Sequence, residues 1–213
     1  MATLDENLIA ALVGRRVVAD TFRRLPPVRK SQIYRTALRL FAEYGYDGLA
    51  VDRLCREAGI SKGSFFQYFE TKSHLLEFVL LAFDRRVAEW VREIRAQETA
   101  TLARERLASL FRAATAADGL DDTEREFYHF ATEALRHSGV IIEGVDLQSH
   151  LRGFVREVVE RGIQTGELRD DLPPDYLATI IGDLLHQVLA SRPQAESADQ
   201  ESTVKMLIDG ILA

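Results

Sequence analysis

The residues of this chain whose types suit recognition chemistry lie close together between positions 61 and 72. They are Ser61, Lys62, Gly63, Ser64, Phe66, Gln67, Tyr68 and Lys72. A lysine can pair with guanine or with a phosphate, a glutamine can make two hydrogen bonds to adenine, and a serine can bond to several bases. Phenylalanine offers apolar surface to a thymine methyl group, and glycine lets a partner approach the backbone closely. A tyrosine hydroxyl and a second lysine can hold phosphates. This set of side chains therefore indicates a surface for nucleic acid.

The elements that must position this surface are two short helices. An apolar stripe that begins at Val51 predicts a helix over 51–57, and Gly59 supplies the turn that follows it. Ser61 can cap the second helix by accepting a hydrogen bond from a backbone amide of its first turn. Phe65 and Phe69 are four residues apart and predict the buried side of that helix. The residues between them are therefore expected to face outward.

Two short helices joined by a glycine turn, and braced by a longer helix over 28–44, form a helix-turn-helix arrangement. The second helix of such a pair fits the major groove of DNA. A plain structural corner between helices also needs a glycine, so the turn alone leaves both interpretations open. Residues 1–72 hold 12 Lys and Arg against 8 Asp and Glu, whereas the remainder holds 15 against 25. The positive charge of this third is consistent with a polyanionic partner and also with ordinary variation of surface charge.

A wider set of residues, over about 29–76, resembles the N-terminal domain of the TetR family of transcriptional regulators. The matching positions are Ile33, Ala37, Phe41, Gly45, Tyr46, Leu54, the run from Ala58 to Phe65, Tyr68, Phe69, Lys72, Leu75 and Leu76. The resemblance implies an all-α homodimer with an N-terminal three-helix DNA-binding domain and a C-terminal helical bundle for effector binding and dimerisation. It implies a repressor that binds a pseudo-palindromic operator in double-stranded DNA and is released by a small-molecule effector. Carried over by position, Lys62, Gly63, Ser64, Phe66, Gln67, Tyr68 and Lys72 face the DNA, with Ser61 as the cap.

The sequence departs from the family pattern in three places, and the first two keep an alternative open. Leu49-Ala50 stands where the family usually has a hydroxyl cap before the first of the two short helices, and Phe66 replaces a tyrosine. About 28 residues precede the domain. The alternative is a helical ligand-binding or scaffold protein that has lost DNA binding.

The predicted organisation is an N-terminal extension over 1–27, a DNA-binding domain over 28–76, and an effector-binding and dimerisation domain over 77–213. The extension is predicted to form one helix over 6–22. It could dock on the protein, follow DNA with its arginines, or lie on an anionic membrane. A long helix is expected over 72–97, and further helices near 100–116, 121–137, 147–164, 173–191 and 199–212.

Two sets of apolar residues in the C-terminal part are candidates for binding. Aromatic residues at helical spacing are usually core, but the family resemblance makes some of them candidates for an effector pocket: Trp90, Phe111, Phe127, Tyr128 and Phe130. The apolar stripe of the helix over 173–191 is too wide for one neighbour, and together with the last helix it predicts a dimer interface. Its residues are Tyr176, Ile180, Ile181, Leu184, Leu185, Val188, Leu207 and Ile211.

Several other classes of protein are not indicated. The sequence has no glycine-rich phosphate loop, HExxH motif or nucleophile elbow, and its paired aspartates lie at helix starts, where acids favour the helix dipole. We therefore expect no enzyme, cofactor or metal site. The single Cys55 permits neither an intramolecular disulfide nor a multi-thiolate zinc site. No apolar run is long enough to span a bilayer, so a cytoplasmic protein without a membrane partner is expected.

Overall fold

The computed structural model describes residues 4–97, 100–115, 119–137 and 142–190, together with Met206 and Gly210. These residues form ten helices and no strand, which confirms the predicted all-α fold. The helices are α1 (Glu6–Gly14), α2 (Asp20–Arg23), α3 (Pro27–Gly48), α4 (Val51–Ala58), α5 (Lys62–Tyr68), α6 (Lys72–Gln97), α7 (Ala103–Thr115), α8 (Asp122–His137), α9 (Leu147–Gln164) and α10 (Pro174–Ala190). Apart from Met206 and Gly210, the helix expected over 199–212 lies outside the described residues.

The chain divides into two compact units. Unit 1 contains Met1–Arg86 and Glu126–Val145, and unit 2 contains Val87–Arg125 and Asp146–Ala213. The division follows three-dimensional contacts, so it differs from the three consecutive ranges that the sequence predicts. Residues of α6 and of α8 belong to both units.

The N-terminal extension forms two short helices instead of the single predicted one. Arg16, just after α1, has a φ of 62°, which is a left-handed conformation that interrupts the helix. Val17 and Val18 follow it and are buried. The hydrophobic burial of these two valines offsets the cost of about 1–2 kcal/mol for a left-handed residue other than glycine. The helical pattern of apolar residues over 6–22 gives no indication of this break.

Aromatic rings fill the core of unit 1 beneath α5. Phe22 of the extension, Phe69 and Phe78 form a mutually packed trio, with ring centroids 5.1–5.6 Å apart. Phe65 joins them at 5.7 Å from Phe69. All four side chains are fully buried. The extension, α5 and α6 therefore share one hydrophobic core.

Unit 2 is built mainly on the packing of α9 against α10 and α7. Leu151, Phe154 and Val158 of α9 are fully or almost fully buried. The indole ring of Trp90 lies against Gly119, so close that a Cβ atom at position 119 would stand 2.3 Å from the indole nitrogen. Only a glycine lets the chain pass the tryptophan at this distance.

Candidate nucleic-acid interface

Two helices and a left-handed glycine form the predicted corner. Gly59 follows α4 with φ 63° and ψ 37°, and the amide of Ile60 donates to the carbonyl of Cys55 at 2.9 Å. Ser61 then caps α5, because its Oγ accepts a hydrogen bond from the amide of Ser64 at 2.9 Å. The turn and the cap therefore form as their residue types predict.

The α5 helix has one buried and one exposed side. Phe65 and Phe69 are fully buried, whereas Lys62, Phe66 and Gln67 are exposed, Phe66 by 50%. Ser64 and Tyr68 are half-buried. Phe66 is therefore a large apolar side chain that stays accessible to a partner. Of the predicted recognition residues of this helix, Lys62, Gly63, Phe66 and Gln67 therefore lie on its outer side. Contact with DNA remains a prediction for all of them.

Gly63 stands at the outer side of the first turn of α5. A Cβ atom built there would meet only the Oγ of Ser61, at an ordinary distance of 3.7 Å. Within the described residues, no clash at this site calls for a glycine. The absence of a side chain is therefore consistent with a partner that approaches the backbone here.

Lys62 is paired with Asp52 of α4, with 2.9 Å between the ammonium nitrogen and Oδ1. The hydrogen bond to this carboxylate, followed by its charge, raises the pKa of Lys62. The lysine is therefore fully charged at neutral pH, but an acceptor on its own chain competes with DNA for it. Asp52 also brings a negative charge to the predicted interface.

Lys72 has a structural partner that the sequence does not reveal. Its ammonium donates to the backbone carbonyls of Tyr46 at 2.6 Å and Leu49 at 3.1 Å, and it lies 4.4 Å from the centre of the Tyr46 ring. These bonds tie the start of α6 to the end of α3 and to Leu49, which follows it. One ammonium hydrogen is left for a phosphate, so a phosphate contact by Lys72 stays a prediction.

The Leu49-Ala50 departure has the expected local effect. Ala50 takes the N-cap position of α4 and makes no side-chain hydrogen bond there. Leu49 is buried, and its carbonyl accepts one of the bonds from Lys72. The α4 helix thus begins without a hydroxyl cap.

The extension docks on the protein, one of the three roles considered from its sequence. The amide of Ala19 donates to the carbonyl of Tyr68 at 3.0 Å, and the hydroxyl of Thr21 donates to the carbonyl of Gln67. Phe22 fills the core beneath, 6.0 Å from the Tyr68 ring. The extension therefore contacts two of the predicted recognition residues. The signal in the sequence for this docking is the set of apolar residues in the extension: Leu8, Leu12, Val13, Val17 and Val18.

The residues proposed for an effector pocket fall in both units. Phe127, Tyr128 and Phe130 belong to unit 1, where Phe127 packs against Phe83 at 5.0 Å. Trp90 and Phe111 are buried in unit 2. Each group is largely core within its own unit, and the pocket remains a prediction.

The predicted dimer residues separate into two sets. Ile181 and Leu185 are buried within the chain, whereas Tyr176 and Ile180 are exposed by 56% and 41%. Leu184 and Val188 are half-buried and continue the exposed stripe along α10. Leu207 and Ile211 lie outside the described residues. The interface itself stays a prediction.

Two searches of the described residues were negative. No group of three or more His, Cys, Asp or Glu in these ranges is placed to hold a metal ion. None of the described helices combines the length and the apolar character that crossing a bilayer requires.

Comparison with known proteins identifies the helix-turn-helix region. Residues 33–79 match the family model described as bacterial regulatory proteins, tetR family. The chain is 30% identical over 186 residues to the transcriptional repressor AcnR of Corynebacterium diphtheriae, covering 85% of this chain and 90% of the relative. It is 30% identical over 182 residues to the transcriptional repressor Rv1474c of Mycobacterium tuberculosis, covering 85% and 91%.

Solved structures share the fold along most of the chain. The ketosteroid transcriptional regulator KstR2 of Mycobacterium tuberculosis superposes with a TM-score of 0.65 at 24% identity, covering 89% of this chain and 97% of that one. The transcriptional regulator FadR of Bacillus subtilis, in complex with stearoyl-CoA, gives a TM-score of 0.67 at 19% identity, covering 85% and 98%.

These relatives do not favour the alternative of a helical protein that has lost DNA binding. Their family consists of regulators and not of enzymes. The outward side of α5, the capped turn before it and the similarity along the chain agree, and this protein belongs to the TetR family as a DNA-binding transcriptional repressor.

Proposed function

We propose that the chain represses transcription as a homodimer whose two α5 helices read the halves of a pseudo-palindromic operator. We further propose that a small-molecule effector, bound by the C-terminal part of the chain, releases the operator. Regulators of this family bind DNA and small-molecule ligands and act as dimers. Such a repressor works in the cytoplasm, where its operator is.

The observation that carries the DNA proposal is the exposed side of α5. Lys62, Phe66 and Gln67 are exposed on a helix whose opposite side is anchored by fully buried phenylalanines. An α-helix fits the major groove, where each base pair presents a distinct set of donors and acceptors. A helix held rigidly from behind can present its side chains at a fixed depth in that groove.

Each exposed residue has a role that its chemistry supports. Gln67 can make a bidentate bond to adenine, Lys62 can reach guanine or a phosphate, and Phe66 can cover a thymine methyl group. The hydroxyl of Tyr68 and the third ammonium hydrogen of Lys72 can bind phosphates of the DNA backbone. Contacts to the bases would determine which DNA sequence is preferred, and contacts to the phosphates would determine where the protein sits along the duplex.

The exposed stripe of α10 supports the homodimer. Tyr176, Ile180, Leu184 and Val188 recur every four residues and stay accessible on the single chain. An apolar stripe of this kind is costly in water and favours a self-complementary contact with a second copy. Reading both halves of one operator would require the two α5 helices to lie about 34–36 Å apart, which is one turn of DNA.

Release by an effector requires that the effector prefers a conformation that cannot bind the operator. The coupling free energy between two such sites is typically about 1–3 kcal/mol. A solved structure of the same fold, FadR of Bacillus subtilis, is in complex with stearoyl-CoA. For this chain we propose a pocket formed by aromatic residues, and the candidates are Trp90, Phe111, Phe127, Tyr128 and Phe130.

Selection of genomic DNA by the purified full-length protein tests the DNA proposal. We expect an inverted repeat whose half-sites are centred about 10–10.5 base pairs apart. Replacing Gln67 by Ala should relax the preference at one base pair of each half-site by about 1–3 kcal/mol. Gln164, an exposed glutamine at the end of α9, provides the matched control, because its replacement by Ala should change nothing.

Two results would contradict the proposal. One is a protein that binds random fragments as tightly as selected ones at physiological salt. The other is a Gln67→Ala variant that keeps every base preference of the parent protein. The dimer is tested separately by replacing Ile180 with Glu and measuring the molar mass by light scattering. We expect this variant to be a monomer. If it is still a dimer, the α10 stripe is not part of the interface.

A further inference from the structure

The last two residues of the recognition helix are held in place by the N-terminal extension. α5 has only seven residues, which is two turns. Isolated helices of this length are unstable in water, because nucleation costs more than so few hydrogen bonds return. The last carbonyls of a helix also lack partners within it. External groups must therefore fix the end of α5.

The extension supplies two of these groups. The hydroxyl of Thr21 donates to the carbonyl of Gln67, and the amide of Ala19 donates to the carbonyl of Tyr68 at 3.0 Å. Each bond is made to the backbone of a residue that the proposed function assigns to DNA. The side chain of Gln67 can be aimed at a particular base only if the backbone of Gln67 is itself held in position.

The donors themselves are firmly anchored. Phe22, the residue after Thr21, is fully buried among the rings of Tyr68, Phe69 and Phe78. This packing leaves the donors little freedom to move away from α5.

Ion pairs fasten the rest of the extension to unit 1. Arg15 pairs with Glu77 at 3.0 Å, and Asp5 pairs with Arg85. The buried ammonium of Lys30 reaches Glu6 at 3.3 Å. These contacts join α1 and the residues at its two ends to α3 and α6, so the extension is a fixed part of the unit.

The cations of the extension and of the first turn of α3 do not favour a simple electrostatic role. Arg15 and Lys30 are used in these ion pairs, and Arg23 lies 3.7 Å from Asp20. The guanidinium of Arg29 donates to the carbonyl of Gly59 and to Gln32. Most of the cations that could follow a DNA backbone are thus engaged within the chain.

We propose that Ala19 and Thr21 are positioning residues for operator recognition. They act through the backbone of Gln67 and Tyr68, and they do not touch the bases themselves. When a bond is lost, a smaller fraction of molecules has α5 in the orientation that can bind DNA. The apparent affinity falls in proportion to that fraction. The inference rests on the proposed function of α5 as the recognition helix.

The test compares Thr21→Val with Thr21→Ser in the full-length protein. Valine keeps the shape and removes the hydroxyl, whereas serine keeps the donor. A net hydrogen bond of typical strength corresponds to about a 2- to 13-fold change for each subunit. We expect Thr21→Val to lower the affinity for the selected inverted repeat by up to this factor, with random duplex DNA bound as before and with Thr21→Ser close to the parent.

Thr165→Val is the matched control. Its hydroxyl also donates to a backbone carbonyl, that of Gly162 at 3.2 Å, but it lies in unit 2. This variant should bind both DNAs like the parent. Hydrogen exchange of peptides covering residues 62–69 gives a second measurement that needs no DNA. Exchange should be faster in Thr21→Val than in the parent and unchanged in Thr165→Val.

The possible results separate the two proposals. If Gln67→Ala changes base preference but Thr21→Val changes neither affinity nor exchange, the positioning role is wrong and the recognition helix stands. An equal loss on both DNAs with a flatter salt dependence would mean that the extension touches the backbone directly, which also overturns the positioning role. If Gln67→Ala has no effect, the proposed function of α5 fails, and the exchange data still decide whether Thr21 holds this helix.

Discussion

Replacing Phe22 by Ala should detach the extension from unit 1. Phe22 is fully buried, and its ring lies 5.1 Å from both Phe69 and Phe78 and 6.0 Å from Tyr68. Truncation of a buried phenylalanine costs about 3–5 kcal/mol, because the hydrophobic transfer energy is lost and a cavity remains. A protein of ordinary stability has only about 5–15 kcal/mol in total. The substitution should therefore remove a large part of the stability of this unit.

Two measurements check this magnitude. Urea unfolding followed by circular dichroism should show a midpoint lower by about 1 M or more, because m-values are typically about 1–3 kcal/mol/M and rise with size. Limited digestion with trypsin should cut earlier at Arg23 and Arg24, which lie on either side of the end of α2. Local opening of the extension exposes these sites even if the rest of the unit stays folded.

Val28→Ala is the matched control for this experiment. Val28 is also apolar and lies six residues along the chain, but it is 75% exposed. Its truncation should change the free energy of unfolding by no more than about 0.5 kcal/mol. If Phe22→Ala matched this control in both the urea midpoint and the rate of digestion, the packing of the extension against α5 and α6 would be refuted.

Three further changes test single contacts. Asp52→Asn removes the carboxylate that competes with DNA for Lys62. The affinity for DNA should therefore rise by about two- to fivefold at low salt and by less at high salt. An unchanged or lower affinity would contradict this competition. Lys72→Met removes two hydrogen bonds to backbone carbonyls. In urea titrations it should lower the free energy of unfolding by about 2 kcal/mol. If the variant is as stable as the parent, the structural role of Lys72 is wrong and only its proposed contact with DNA phosphates is left. Burial, followed by the charge of Asp52, raises the pKa of the Cys55 thiol above its ordinary value of 9.0, so the folded protein should react slowly with a thiol reagent. Because the unfolded chain then loses the thiol proton first, stability should fall as the pH rises through 9.0, and Cys55→Ala should abolish this part of the pH dependence.

The parts of the site that follow from local signals could be predicted from the sequence. Gly59 occupies a left-handed position, and Ser61 caps the next helix three residues before the amide it bonds. Both depend on residues within one turn of each other, and their chemistry is specific to these residue types. The burial of Phe65 and Phe69 follows from their spacing.

Contacts between distant parts of the chain could not be predicted in this way. The ammonium of Lys72 bonds to carbonyls that lie 26 and 23 residues earlier, and Thr21 bonds to a carbonyl 46 residues later. A backbone carbonyl has no residue type, so nothing in the sequence marks it as an acceptor. The break at Arg16 also escapes prediction, because the burial of the following valines and not the preference of arginine decides it.

The tryptophan that packs on Gly119 makes the protein convenient for spectroscopy. Trp90 is the only tryptophan in the sequence and belongs to unit 2, whereas five of the six tyrosines belong to unit 1. Excitation near the red edge of the indole absorption therefore reports on one unit alone. Emission from this residue, recorded while operator fragments or trial metabolites are added, would show whether an event in unit 1 is felt in unit 2 without any added label.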